Sequence, residues 1–143
     1  MSAAALLPPG SQFHHVGLAC RDLERERDAF ADLGYAPSGE RFTDTRQGVV
    51  GLFLEGLGPR IELLTPLGNS QVLDPWLSGR AKMYHLGYEV PDLTEAIHAA
   101  AASGARQVSG PTPAVAFGER KICFVMLRNL FLVEFIEQRL PPA

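Results

Sequence analysis

Residues 13–19, Phe-His-His-Val-Gly-Leu-Ala, form a short run of apolar and β-branched character with polar interruptions, the pattern of a strand with one covered face. Asp22 follows as an N-cap, and the spacing of Leu23, Phe30 and Leu33 predicts a helix to about Leu33 whose other face carries Glu24, Arg25 and Asp28. Gly34 suits the C-terminal stop. Three further strands are expected over Tyr35 to Phe42, Val49 to Glu55 and Arg60 to Thr65. The second half reads the same way. Tyr84 to Val90 is a strand stopped by Pro91, Asp92 with Glu95 opens an Ala-rich helix as a capping box, and Ser103-Gly104 closes it. Strands then follow over Arg106 to Ser109, Lys121 to Leu127 and Phe131 to Glu137, while Pro66 to Lys82 connects the halves with a short helix near Val72 to Leu77.

The two halves also repeat in residue identity. His15, Gly17, Asp22 and Leu23 recur as His85, Gly87, Asp92 and Leu93, each 85 − 15 = 70 positions later, and Ala29, Ala31 and Gly34 keep that offset. Downstream, Ile61-Glu-Leu-Leu64 matches Val133-Glu-Phe-Ile136 at 134 − 62 = 72, a shift that two extra loop residues account for. The expectation is an α+β domain over residues 1–143. Its βαβββ modules, 12–66 and 83–138, are joined by a linker at 67–82 and contribute to one curved, barrel-like mixed sheet of about eight strands with helices outside. Equivalent strand positions of the two modules would face one cleft.

Composition narrows the functional classes. Hydrophobic residues at 46% and charged residues at 20% belong to a folded globular chain, and the net charge of −3 leaves no cationic surplus for nucleic acid. No apolar run approaches the ~18 residues of a membrane span, and Met1 to Pro9 lacks the basic start of a secretory signal, so a frayed N-terminus and a cytoplasmic protein are expected. Cys20 and Cys123, in unrelated apolar contexts, read as buried reduced thiols.

The repeat selects its own polar residues. Only one of His14 and His15 can face inward from a strand, and the match to His85 selects His15, leaving His14 exposed. Glu62 and Glu134 sit in otherwise apolar strands, where an ionised carboxylate is costly unless a cation accompanies it. Two imidazoles and two carboxylates suit a divalent ion such as Zn, Ni, Co, Mn or Fe, with positions left for substrate.

Phe13-His-His-Val-Gly-Leu-Ala, Arg60-Ile-Glu-Leu-Leu-Thr-Pro-Leu67, Tyr84-His-Leu-Gly-Tyr-Glu-Val and Leu132-Val-Glu-Phe-Ile-Glu137 together resemble the vicinal oxygen chelate superfamily, nearest to its methylmalonyl-CoA epimerase and glyoxalase I branch. The resemblance implies the glyoxalase/bleomycin resistance/dioxygenase fold and a metal held by His15, Glu62, His85 and Glu134. The epimerases carry a separate glutamate base just ahead of a Gly-Val pair. Here Arg46 occupies that place before Gly48-Val49, and a guanidinium cannot serve as a base. A metal-proximal Glu134 or Glu62 would then take the proton, as glyoxalase-type members do, with Arg46 and Arg41 available to an anionic group of the substrate.

The expected activity is a divalent-metal-dependent isomerase or lyase working through a stabilised enolate on a small 2-oxo or thioester metabolite. A non-haem Fe(II) dioxygenase and a non-catalytic metabolite-binding protein are the alternatives on the same fold, and a homodimer is one open arrangement of the modules. Glu89, sharing strand parity with His85, is a reserve site residue. Gly110 to Lys121, with Glu119, is long enough to cover a cleft, and Trp76 is expected to pack in the core of the linker region.

Overall fold

The structure, a computed structural model, describes residues 6–138, so the expected fraying of Met1 to Ala5 lies outside the described residues. Strand β1 (Gln12–Ala19) leads to helix α1 (Leu23–Ala31), the short strands β2 (Ala36–Pro37) and β3 (Phe42–Asp44), and the longer β4 (Val49–Glu55) and β5 (Ile61–Pro66). Helix α2 (Asp74–Ser78) follows in the linker. Strand β6 (Met83–Val90), helix α3 (Leu93–Ala102), and strands β7 (Arg106–Pro113), β8 (Lys121–Met126) and β9 (Leu132–Glu137) complete the second half. The nine strands form an open mixed sheet in the hydrogen-bonded order β2-β4-β5-β1-β6-β9-β8-β7, with β3 also on β4.

By contact density the chain resolves into one unit of residues 15–85 and another of residues 86–138 with the first turns of the chain. In the first, Leu23 of α1 packs with Leu52, Leu54, Ile61, Leu63 and Cys20. In the second, Leu93, Ala96 and Ala100 of α3 pack with Val125, Val133, Phe135 and Cys123. Both cysteines are buried free thiols, as expected.

Each helix starts where the sequence placed it. The Asp22 carboxylate accepts from the Arg25 backbone N–H at 3.1 Å, and that of Asp92 from the Glu95 N–H at 3.0 Å, the same cap in both halves. Gly34 and Gly104 take matching positive φ values of 87° and 89° just past the helix ends.

Three expectations are corrected. Leu33 is 64% exposed, because α1 ends at Ala31 and carries it into the closing turn. The expected strand from Tyr35 to Phe42 is two short strands, split at Ser38 to Arg41, where Gly39 has φ 83°; this raises the strand count from about eight to nine. The segment from Gly110 is not a free covering loop. Strand β7 continues through Pro111 and Pro113, which a sheet edge tolerates because, among the described residues, β7 pairs only with β8. A 3-10 turn over Val115–Phe117 takes up the remainder.

Candidate metal centre

The parallel pairing of β1 with β5 sets Gly17 opposite Glu62, and that of β6 with β9 sets Gly87 opposite Glu134. The offsets are 87 − 17 = 70 and 134 − 62 = 72, so the sequence repeat is also a repeat of register. Side chains alternate along a strand, and directly paired residues share a face. His15 therefore lies on the face of Gly17 and Glu62, and His85 on the face of Gly87 and Glu134.

Each carboxylate has a glycine on one side and a phenylalanine on the other, since Phe53 of β4 is opposite Glu62 and Phe124 of β8 is opposite Glu134. The phenylalanines escape the sequence comparison because their offset, 124 − 53 = 71, matches neither of the other two.

Within the first unit, three donor atoms converge. His15 Nε2 lies 2.8 Å from His85 Nε2 and 3.1 Å from Glu62 Oε1, and His85 Nε2 lies 3.4 Å from the same oxygen. His15 is fully buried, His85 1% exposed and Glu62 4% exposed. Burial alone would raise the Glu62 carboxyl, but the charge of His15 and hydrogen bonds from both imidazoles hold it down at about 2. A buried carboxylate kept ionised between two imidazole nitrogens is the arrangement a cation calls for.

The spacing fits a small ion as well. Donor atoms about 2.0 to 2.2 Å from a common ion stand about 3.0 to 3.5 Å apart, close to the triangle of 2.8, 3.1 and 3.4 Å. These three residues form a buried His/Glu cluster able to hold a divalent metal.

Gly17 makes room for it. A Cβ at that position would come within 2.3 Å of the His85 ring, so the His85 imidazole occupies the space that any other residue would fill. Both His-x-Gly motifs stand out in the repeat, and that recurrence is the signal by which the role of Gly17 could have been read. Around the cluster, the Phe53 ring meets His15 edge-on at 5.8 Å and the Tyr84 ring meets His85 at 4.6 Å.

Each of the other candidates has its own surroundings. Glu134 is 2% exposed on β9 in the second unit. His14, expected to be exposed, is half-buried, with its ring edge-on to Phe117 at 5.3 Å. Arg41 is exposed and paired with Glu24 of α1. Arg46 is exposed in a turn organised by Asp44, whose carboxylate accepts from the backbone N–H groups of Arg46 and Gln47 at 3.0 and 3.1 Å and from the Gln47 side chain at 2.8 Å. Asp44 is completely buried, and sequence reasoning missed it, although Asp at the head of a turn ending in glycine is a recognisable pattern. Glu89 is held by Arg120 at 2.7 Å. Glu119 is exposed at a turn with φ 69°, and Trp76 is half-buried against Tyr84, with ring centroids 4.5 Å apart.

Residues 14–124 match the sequence profile of the Glyoxalase/Bleomycin resistance protein/Dioxygenase superfamily. The chain belongs to that superfamily. Among curated proteins, this superfamily member is similar to the mitochondrial methylmalonyl-CoA epimerase of Dictyostelium discoideum, with 24% identity over 131 residues, covering 89% of the chain and 78% of the relative. Among solved structures it resembles methylmalonyl-CoA epimerase from Mycobacterium tuberculosis, at 25% identity and a TM-score of 0.77, covering 98% and 94% of the two chains. A Streptomyces coelicolor methylmalonyl-CoA epimerase variant in complex with 2-nitronate-propionyl-CoA matches at 21% identity and a TM-score of 0.74, covering 90% and 98%. Among the described residues, no helix is long and apolar enough to cross a membrane.

Proposed function

We propose that this superfamily member is a divalent-metal-dependent isomerase or lyase of epimerase type, acting on a small metabolite with a carbonyl that a metal can chelate, a CoA thioester or 2-oxo acid. The observation that carries the reading is the buried triangle of His15 Nε2, His85 Nε2 and Glu62 Oε1. Glu134 is proposed as the fourth donor. Its support is the repeated register, in which Glu134 stands to Gly87 and His85 as Glu62 stands to Gly17 and His15. The chain would work as one domain of two modules. Its free thiols suit the reducing cytoplasm.

An ion bound there would supply charge stabilisation to a substrate carbonyl oxygen, making the adjacent C–H more acidic. The protein's own residues do the rest. The paired imidazoles of His15 and His85 and the aromatic ring of Phe53 fix the Glu62 carboxylate in a dry setting, so its oxygens are preorganised both to hold a cation and to accept a proton. Glu62 or Glu134 takes the proton from the carbon next to the carbonyl, and its conjugate acid returns one. Arg46 cannot fill the place of the separate base of the epimerases and instead presents a guanidinium to an anionic group of the substrate. Arg41 pairs with Glu24 on the surface and is not among the substrate contacts proposed here.

The test is proton exchange in D2O. Metal-loaded protein is mixed with methylmalonyl-CoA and with a panel of 2-oxo acids, and deuterium uptake at the carbon beside the carbonyl is followed by NMR or mass spectrometry. The proposal predicts uptake for at least one of them, lost in Glu62→Gln. Oxygen consumption with iron and no exchange would overturn it in favour of dioxygenase chemistry.

A further inference from the structure

A second concave site lies wholly within the unit of residues 15–85 and contains none of the metal donors. It is a groove of about 470 Å³ between the end of β1, helix α1, helix α2 and the approach to β6, within the size range of small-ligand pockets. Four cationic side chains line it, Arg21, Arg25, Arg80 and Lys82, against two carboxylates, Asp22 and Glu26. In a chain of net charge −3 this is a local surplus of two positive charges.

Both carboxylates are already committed. Asp22 caps α1 by accepting from Arg25 N–H at 3.1 Å, and Glu26 holds Lys82 at 2.7 Å. Arg21 reaches the Leu77 carbonyl at 3.3 Å. Arg25 and Arg80 make no ion pair among the described residues. Arg80 is moreover held at φ 57°, a left-handed conformation that glycine or asparagine adopts far more cheaply, with Gly79 one residue away. An unpaired arginine kept at a strained position is consistent with a use for its guanidinium.

The rest of the lining is apolar. Trp76 lines the groove with Leu77, and Ala29 and Ala81 have side chains small enough to let a planar group approach. Cys20 also borders it, but burial and the charge of Glu26 push its thiol up to about 12, which excludes it as a nucleophile there.

We propose that this groove binds a phosphorylated planar heterocycle of the nucleoside diphosphate class, its phosphates on the Arg25 and Arg80 guanidiniums and its ring against Trp76. Two guanidiniums in one groove suit the several oxygens and multiple charge of a diphosphate, and the indole offers its face to a flat ring. The Trp76 ring touches Tyr84, whose ring touches the metal-site His85, so an occupant would sit two ring contacts from the metal centre.

Trp76 is the chain's only tryptophan, so its fluorescence reports on the groove directly. The purified protein is titrated with ADP, with inorganic phosphate and with adenosine. The expected result is a saturable change with ADP at a Kd below about 1 mM, with phosphate and adenosine each at least about tenfold weaker. Arg25→Ala with Arg80→Ala should weaken ADP by about tenfold or more, with an unchanged far-UV circular dichroism spectrum. No saturable ADP signal, or ADP binding that survives the double substitution, overturns the proposal, the latter pointing to the metal centre as the phosphate site. Phosphate binding as tightly as ADP overturns the role given to the ring. Failure of the groove leaves the deuterium-exchange result untouched, because no residue is shared between the two tests.

Discussion

Gly17 is the smallest side chain at the centre and one of the most constrained. Any Cβ there meets the His85 ring at 2.3 Å, so Gly17→Ala should displace that imidazole and weaken metal binding by about 10- to 100-fold, the usual cost of disturbing the orientation of a ligand. Overpacking adds about 1 to 3 kcal/mol of destabilisation. Metal titration alongside thermal unfolding separates the two effects, and an unchanged affinity would show that the His85 ring can be placed elsewhere. The thiols give a second residue-scale test. Burial pushes Cys20 up to about 12 and Cys123 up to about 11, from an ordinary 9.0. At pH 8 their thiolate fractions are then roughly 10⁻⁴ and 10⁻³, against about a tenth for a free thiol of pKa 9.0. A thiol reagent at pH 8 should therefore react with the native protein at least about a hundredfold more slowly than with the unfolded chain. At this scale the candidate donors His15, His85, Glu62 and Glu134 stand out in the sequence because repetition marks them, whereas Asp44, Phe53 and Phe124 do not. Asp44 acts through a local turn that has no counterpart in the other half, and the two phenylalanines fall out of step with the repeat by one residue.

At the scale of elements, the caps are the clearest link from residue to structure. Asp22 and Asp92 accept the same backbone hydrogen bond in equivalent helices, so Asp22→Ala and Asp92→Ala should each cost about 1 kcal/mol in urea unfolding. A cost at only one of them would mean that the two helices are not stabilised alike. Strands with dense apolar content, such as β4 and β5, lie within a residue of where the pattern puts them. The failures share a cause, which is that propensity says little about sheet edges. The short β2 and β3 are set by their pairing with β4 rather than by their own residues, and β7 runs through two prolines because, among the described residues, its outer side has no strand partner. Leu33 has the spacing of the apolar face of α1, but the helix ends at Ala31 before reaching it.

For the whole molecule, each half runs from a strand through a helix into further strands and brings a histidine, a glycine and a glutamate into the same register, and superfamily membership accords with that plan. The substrate was not legible, because the repeat marks only the candidate donors, and Arg46, proposed above to meet an anionic group, lies outside it. The central claim is that the paired histidines and glutamates hold one divalent ion, and metal-to-protein stoichiometry after equilibrium dialysis tests it most directly. The account predicts one tightly held ion per chain in the wild type and in His14→Ala, and loss of that ion in His15→Ala and His85→Ala, with each variant's fold checked by circular dichroism. A folded His15→Ala protein that still retains one ion at unchanged affinity would contradict it.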